Sequence, residues 1–192
     1  MTQQPDPIQR AAGYLRQEGC KSLEELSALM DSAAAAWQRC LEGMSEDEAG
    51  FHPPQTTHAT TAISGEGPRW CAKEVIGHFL RSERSLNQQI AGMAGLPTPD
   101  ARVPTVRAMG ERSEDDETQP IAELRQRLAE FFGETQSLLS SLQTAGAPDG
   151  SFPHPVFGPL TVKEWMVFHR LHSMDHIRQI DALKAAPGYA AS

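Results

Sequence analysis

The chain has 192 residues, which suits one domain of about 100 to 200 residues and is too short for two. With 39% hydrophobic and 22% charged residues its composition is that of a soluble globular protein, while 15 Gly and 14 Pro call for long connections between packed elements. Seventeen Lys and Arg against 25 Asp and Glu leave a net charge of −8, the wrong sign for covering phosphates, and no basic cluster reverses it, so nucleic-acid binding is set aside.

Reading along the chain, a short helix is expected over Ile8 to Glu18, stopped by Gly19, as an extension of about twenty residues before the main domain. From Ser22 to Met44 the residues Leu23, Leu26, Met30, Ala33, Ala34, Trp37, Leu41 and Met44 recur at steps of three and four, the period of one helix face. Ser22 with Glu25 forms a capping box at its start, hydroxyl and carboxylate each satisfying a free backbone N–H. Ser45 to Arg69, with three Pro and three Gly, reads as a loop. A second main helix is expected over 70–92, with Val75, Ile76, Phe79, Leu86 and Ile90 as its apolar stripe.

Leu96 to Gln119 is a long link containing Pro97, Pro99, Pro104 and an acidic run, Glu114 to Glu117, read as solvated surface. A link of this length can cross the whole height of a bundle, so the helices it joins need not be antiparallel neighbours. A third main helix is expected over 120–144, opened by Pro120 and carrying Ile121, Leu124, Leu128, Phe131, Phe132, Leu138, Leu139 and Leu142. After a turn-rich stretch, Thr161 with Glu164 forms a capping box that opens a fourth helix over 161–185. No strand pattern is read anywhere. The fold expected is all-α, a single-domain four-helix bundle over residues 1–192.

No apolar run approaches the roughly 20 residues of a membrane helix, and the first residues lack a leader pattern. Cys20, Cys40 and Cys71 are odd in number and scattered, so they build neither a disulfide framework nor a CxxC metal site. Both observations point to a reducing, cytoplasmic compartment.

Three of the seven histidines, His169, His172 and His176, fall on the inner face of the fourth helix, within roughly 60° of one another at about 100° per residue. His172 and His176 are one turn apart, the spacing at which two imidazoles chelate one ion from a single helix. His169 pairs equally well with His172 but lies about 10 Å from His176, so spacing leaves two pairs open. The competing reading is three ordinary histidines, each satisfied by its own hydrogen bonds. A metal site also needs a third ligand from another helix. His78 is the candidate, at the border of the second helix's apolar stripe beside Cys71, Glu74, Ser82 and Ser85, either a ligand at the mouth of a pocket or a solvent-facing histidine on a polar face, whereas His52, His58 and His154 fall in segments read as loops. Glu74 and Glu83 are read as surface carboxylates, and Cys71 as a small packing residue.

The segments WCAKEVIGHFLRSER (Trp70 to Arg84) and HPVFGPLTVKEWMVFHRLHSMDHIRQI (His154 to Ile180) resemble the DinB-like metalloprotein superfamily, including its bacillithiol-transferase branch. The resemblance implies His78, His172 and His176 as metal ligands, with His169 one turn before the first of the helical pair, shaping the pocket. It also implies an up-down-down-up bundle in which the long link lets the second and third main helices run parallel. Arg81 departs from the small or acidic residue that many relatives carry there, so the pocket's specificity is not carried over. Three neutral imidazoles suit Zn²⁺, Ni²⁺ or Fe²⁺ and leave a position open. The implied activity is metal-dependent S-transfer, in which a low-molecular-weight thiol of the bacillithiol or mycothiol type is activated for a small electrophile. The alternatives are a metal-dependent hydrolase with Glu74 or Glu83 as base, and a non-catalytic metal-binding stress protein. Neither nucleic acid nor membrane is an expected partner, and a homodimer is left open.

Overall fold

A computed structural model describes residues 6–54, 69–97 and 113–189. Six helices carry most of these residues: α1 (Pro7–Gly19), α2 (Leu23–Leu41), α3 (Glu46–Ala49), α4 (Ala72–Met93), α5 (Ile121–Ala145) and α6 (Val162–Lys184). The expected capping boxes start α2 and α6. Ser22 Oγ accepts the Glu25 N–H (3.1 Å) while Glu25 Oε2 accepts the Ser22 N–H (2.8 Å), and Thr161 with Glu164 repeats the exchange. A third box, Ser45 with Glu48, builds the single turn of α3 inside the segment read as loop. Most of the rest of that segment, including His58, and most of the Pro-rich link, including Pro99 and Pro104, lie outside the described residues.

α5 and α6 each pack against both α2 and α4, and α1 lies along α6 with Leu15 fully buried. Side-chain contacts tie these helices together. Gln136 of α5 meets Ser27 of α2, while Arg125 donates to the carbonyls of Leu41 and Met44. Asn87 of α4 donates to Thr135 of α5, eight residues beyond the contacts that Phe79 makes with Phe131 and Phe132. Two apolar cores result. One gathers Trp37, Phe79, Phe131, Leu124 and Ile180, and the other gathers Leu26, Met30, Ile90, Leu139 and Trp165. Between them lies a layer of buried polar residues: His78, Ser82, Glu83 and Ser85 on α4, Thr135 on α5, and His169, Ser173 and His176 on α6.

The structure corrects the sequence reading of two later connections. Ser151–His154 (β1) and Gly158–Thr161 (β2) pair as an antiparallel hairpin, with Phe152 opposite Leu160 and His154 opposite Gly158. Each strand has four residues and one proline, too short and too turn-like for an alternating pattern to register. The hairpin is held instead by α6: Phe152 stacks on Trp165 with ring centroids 4.4 Å apart, and Trp165 Nε1–H donates to the Phe152 carbonyl. Second, the acidic run is not all solvated. Asp116 is 1% exposed, ion-paired with Arg81 at 2.5 Å and accepting the Ser113 N–H. It docks over Gly77, where a Cβ would come within 2.2 Å of the carboxylate.

Candidate metal centre

α4 and α6 bring their histidines together from opposite sides of the polar layer. His78, His172 and His176 each place a ring nitrogen within 4.8 Å of the other two. His78 is 2% exposed and His176 fully buried, so the solvent-facing alternative for His78 does not hold. Its ring meets those of His172 and His176 edge-on, with centroids 5.7 and 5.1 Å away, and Trp70 covers it at 5.2 Å.

The hydrogen bonds fix which nitrogens carry lone pairs. His172 Nδ1 meets Glu83 Oε1, and His176 Nδ1 lies 3.0 Å from Gln179 Oε1. Both oxygens are acceptors, so both Nδ1 atoms carry the hydrogen and both Nε2 atoms are left basic. These two Nε2 atoms face each other at 2.8 Å. Two lone pairs at that distance repel unless a cation lies beside them, and ligands on one tetrahedral ion need only part to about 3.4 Å. The donor set therefore fits a divalent ion. Burial, with electrostatic repulsion from the neighbouring His172 and His78 rings adding to it, holds His176 well below the usual histidine range, which keeps its imidazole neutral as a ligand must be.

Glu83 is the residue the sequence reading missed. It is completely buried rather than at the surface, one oxygen on His172 and the other on His169 Nδ1. Burial alone would raise its pKa; electrostatic attraction to the two imidazoles and the hydrogen bonds from their Nδ1 atoms outweigh that and hold it below the usual carboxylate range. The signal was present in the sequence, since Phe79, Glu83, Leu86 and Ile90 follow at steps of four, three and four, placing the carboxylate in the middle of the apolar stripe. His169 is thus turned onto Glu83 and away from the three converging rings, and its Nε2 has no hydrogen-bond partner among the described residues.

The hairpin supplies the remaining wall. His154, read as a loop residue, is 9% exposed and packs against Phe157, Trp165 and Phe168, while Phe168 stacks on His172 at 5.2 Å. Its Nδ1 accepts the N–H groups of Val156 and Phe157. Cys71 is fully buried as expected of a packing residue, and Glu74, expected at the surface, is 1% exposed beside it.

A family model described as the DinB superfamily matches residues 29–180, from within α2 to within α6, leaving α1 outside. No curated protein and no solved structure matches the chain. The matched span covers most of the sequence and every residue of the converging cluster, and the chain belongs to the DinB superfamily.

Proposed function

We propose that this protein is a metal-dependent thiol S-transferase, with His78, His172 and His176 holding a divalent ion, Zn²⁺, Ni²⁺ or Fe²⁺, and with its four long helices forming an up-down-down-up bundle. The observation that carries the reading is the pair of Nε2 atoms facing each other at 2.8 Å with their hydrogens committed elsewhere, beside a third buried imidazole. Among the described residues no carboxylate joins the three imidazoles, so a divalent ion held there would keep its full charge and would supply stabilisation for the thiolate of an external thiol, whose ordinary pKa is near 8.5. The protein's own groups orient and enclose. Glu83 holds His172, Gln179 holds His176, and Trp70, Phe79 and Phe168 surround the rings with apolar surface that excludes water. The thiol sulfur forms its new bond to the electrophile, whose leaving group departs to solvent, and no protein nucleophile is required.

The test supplies low-molecular-weight thiols one at a time, with a generic electrophile, to metal-loaded protein. Thiol-dependent conjugation supports the reading. Turnover independent of thiol replaces it with a hydrolase, and no turnover with a non-catalytic metal-binding protein. His172→Ala and His176→Ala should lose both metal and turnover while keeping their helix content by circular dichroism; full activity in metal-free protein contradicts the mechanism.

A further inference from the structure

A second group of ligand atoms lies where α4 begins. Cys71 is the N-cap of α4 and Glu74 is in its first turn, while His52 reaches them from the segment after α3. Each of the three brings a ligand atom within 4.8 Å of the others. Cys71 and Glu74 are 0% and 1% exposed, whereas the His52 side chain is 42% exposed, so the group is closed on two sides and open to solvent on the third. We propose that His52, Cys71 and Glu74 form a second cation site, selective for a thiophilic dication of the zinc class, with Glu117 at its rim.

The ligands are already held in place. Glu74 Oε2 accepts the Cys71 N–H at 2.9 Å, fixing carboxylate and cysteine against each other. His52 Nδ1 is the nitrogen that faces Glu74, 3.6 Å from its Oε2, and the Arg69 carbonyl lies 3.1 Å from it. In the tautomer that leaves Nδ1 basic the hydrogen is on Nε2, directed at Glu117 Oε1 3.5 Å away, so the ring stands between two carboxylates. Ligand atoms on one tetrahedral zinc are about 3.3 to 3.8 Å apart, the scale of the His52–Glu74 separation. Lys73, next in the chain, is turned away to Glu46 at 2.8 Å and to the Glu117 carbonyl.

The donor types select the ion. One imidazole nitrogen, one sulfur and carboxylate oxygens suit Zn²⁺ and its spectroscopic substitute Co²⁺, whereas Mg²⁺ and Ca²⁺ take oxygen ligands. Burial pushes the Cys71 thiol up to about 12, against the backbone N–H groups of Glu74 and Lys73, so without a cation it keeps its proton at neutral pH. On binding, the sulfur's proton goes to the buffer and its lone pair to the ion, with no change of oxidation state. The ion would tie the segment after α3, the start of α4 and the turn before α5 into one end of the molecule. The competing reading is that the three side chains are held by their hydrogen bonds alone and bind no ion.

Titrating the chelator-stripped full chain with Co²⁺ separates the two and is independent of the three-histidine reading. That first site contains no sulfur, so a near-ultraviolet sulfur-to-cobalt charge-transfer band can arise only where a cysteine ligates. The expected result is two equivalents bound, one of them bringing the band. The band should persist in His172→Ala, which loses the other equivalent, and vanish in Cys71→Ser. His52→Ala, at an exposed position that leaves the fold intact, should weaken the band-forming equivalent by at least tenfold. Absence of the band in the wild type, its survival in Cys71→Ser, or undiminished affinity in His52→Ala would each overturn the proposal.

Discussion

A carboxylate buried among aromatic rings is costly unless its charge is met, and Glu83 is met twice, by His169 and by His172. Its oxygen on His172 Nδ1 keeps the hydrogen there and directs Nε2 at His176, so Glu83 would act on an ion bound there through the ring. Glu83→Gln keeps the shape but puts an amide N–H against one of the two rings, and should lower metal affinity about 10 to 100-fold. Competition with a chromophoric chelator measures this; unchanged affinity would show that the ring orients itself. His154 makes a separate, pH-dependent contribution. Burial pushes it down from the ordinary 6.5 to about 4, with repulsion from His172 adding and Glu83 opposing. The unfolded chain therefore takes up a proton between these values that the folded chain does not. Stability is full above about pH 6.5 and falls on acidification, by roughly 3 kcal/mol once pH 4 is passed. Urea unfolding of metal-free protein at pH 7.5 and 4.5 should show this loss reduced in His154→Gln; equal losses in both proteins would refute the assignment.

At the scale of elements, α4 carries an interface that depends on one small residue. Gly77 leaves room for Asp116, whose carboxylate reaches Arg81 and the Ser113 N–H, and this fastens the segment before α5 onto α4. Gly77→Ala should cost about 1 to 3 kcal/mol despite alanine's better helix propensity, because its methyl expels a buried ion-paired carboxylate. Asp116→Ala removes the group that would be struck, so the double variant should be less destabilised than the sum of the singles; strict additivity in thermal unfolding would show that the two do not touch. Which elements could be read in advance follows from how each is specified. α2 and α6 are local, each with a capping box and sustained periodicity, and their extents match the reading to within a few residues. The hairpin and the Asp116 turn were not legible because neither carries its own signal. Phe152 becomes a strand residue by stacking on Trp165, and Asp116 becomes buried only because Gly77 lies opposite it. The same limit applied to the site: helical spacing put three histidines on one face, but only the carboxylate arriving from α4 separates His169 from the pair below it.

Across the whole molecule, the polar layer divides the interior into two apolar cores that lie toward opposite ends of the long helices. None of the described helices is long and apolar enough to cross a membrane, and the stability of the fold rests on these two cores. The layer between them is the weak part, holding a buried carboxylate, three buried histidines and several hydroxyls where leucines would pack better. An ion bound by His78, His172 and His176 would join α4 to α6 across that layer, and binding to the folded state alone adds stability by mass action. At free metal of about 100 times Kd the gain is about 2.7 kcal/mol, which for a chain of this size raises Tm by about 5 to 10 °C. His172→Ala should fold, because both cores are untouched, and should lose this component of the metal-induced shift, leaving only what any other bound ion supplies. Differential scanning calorimetry of stripped and Zn²⁺-loaded samples of both proteins gives the comparison. An equal rise in wild type and His172→Ala would place the stabilising ion elsewhere in the molecule, whereas a His172→Ala protein that fails to fold even without metal would mean that the histidine layer is required to hold the two cores together.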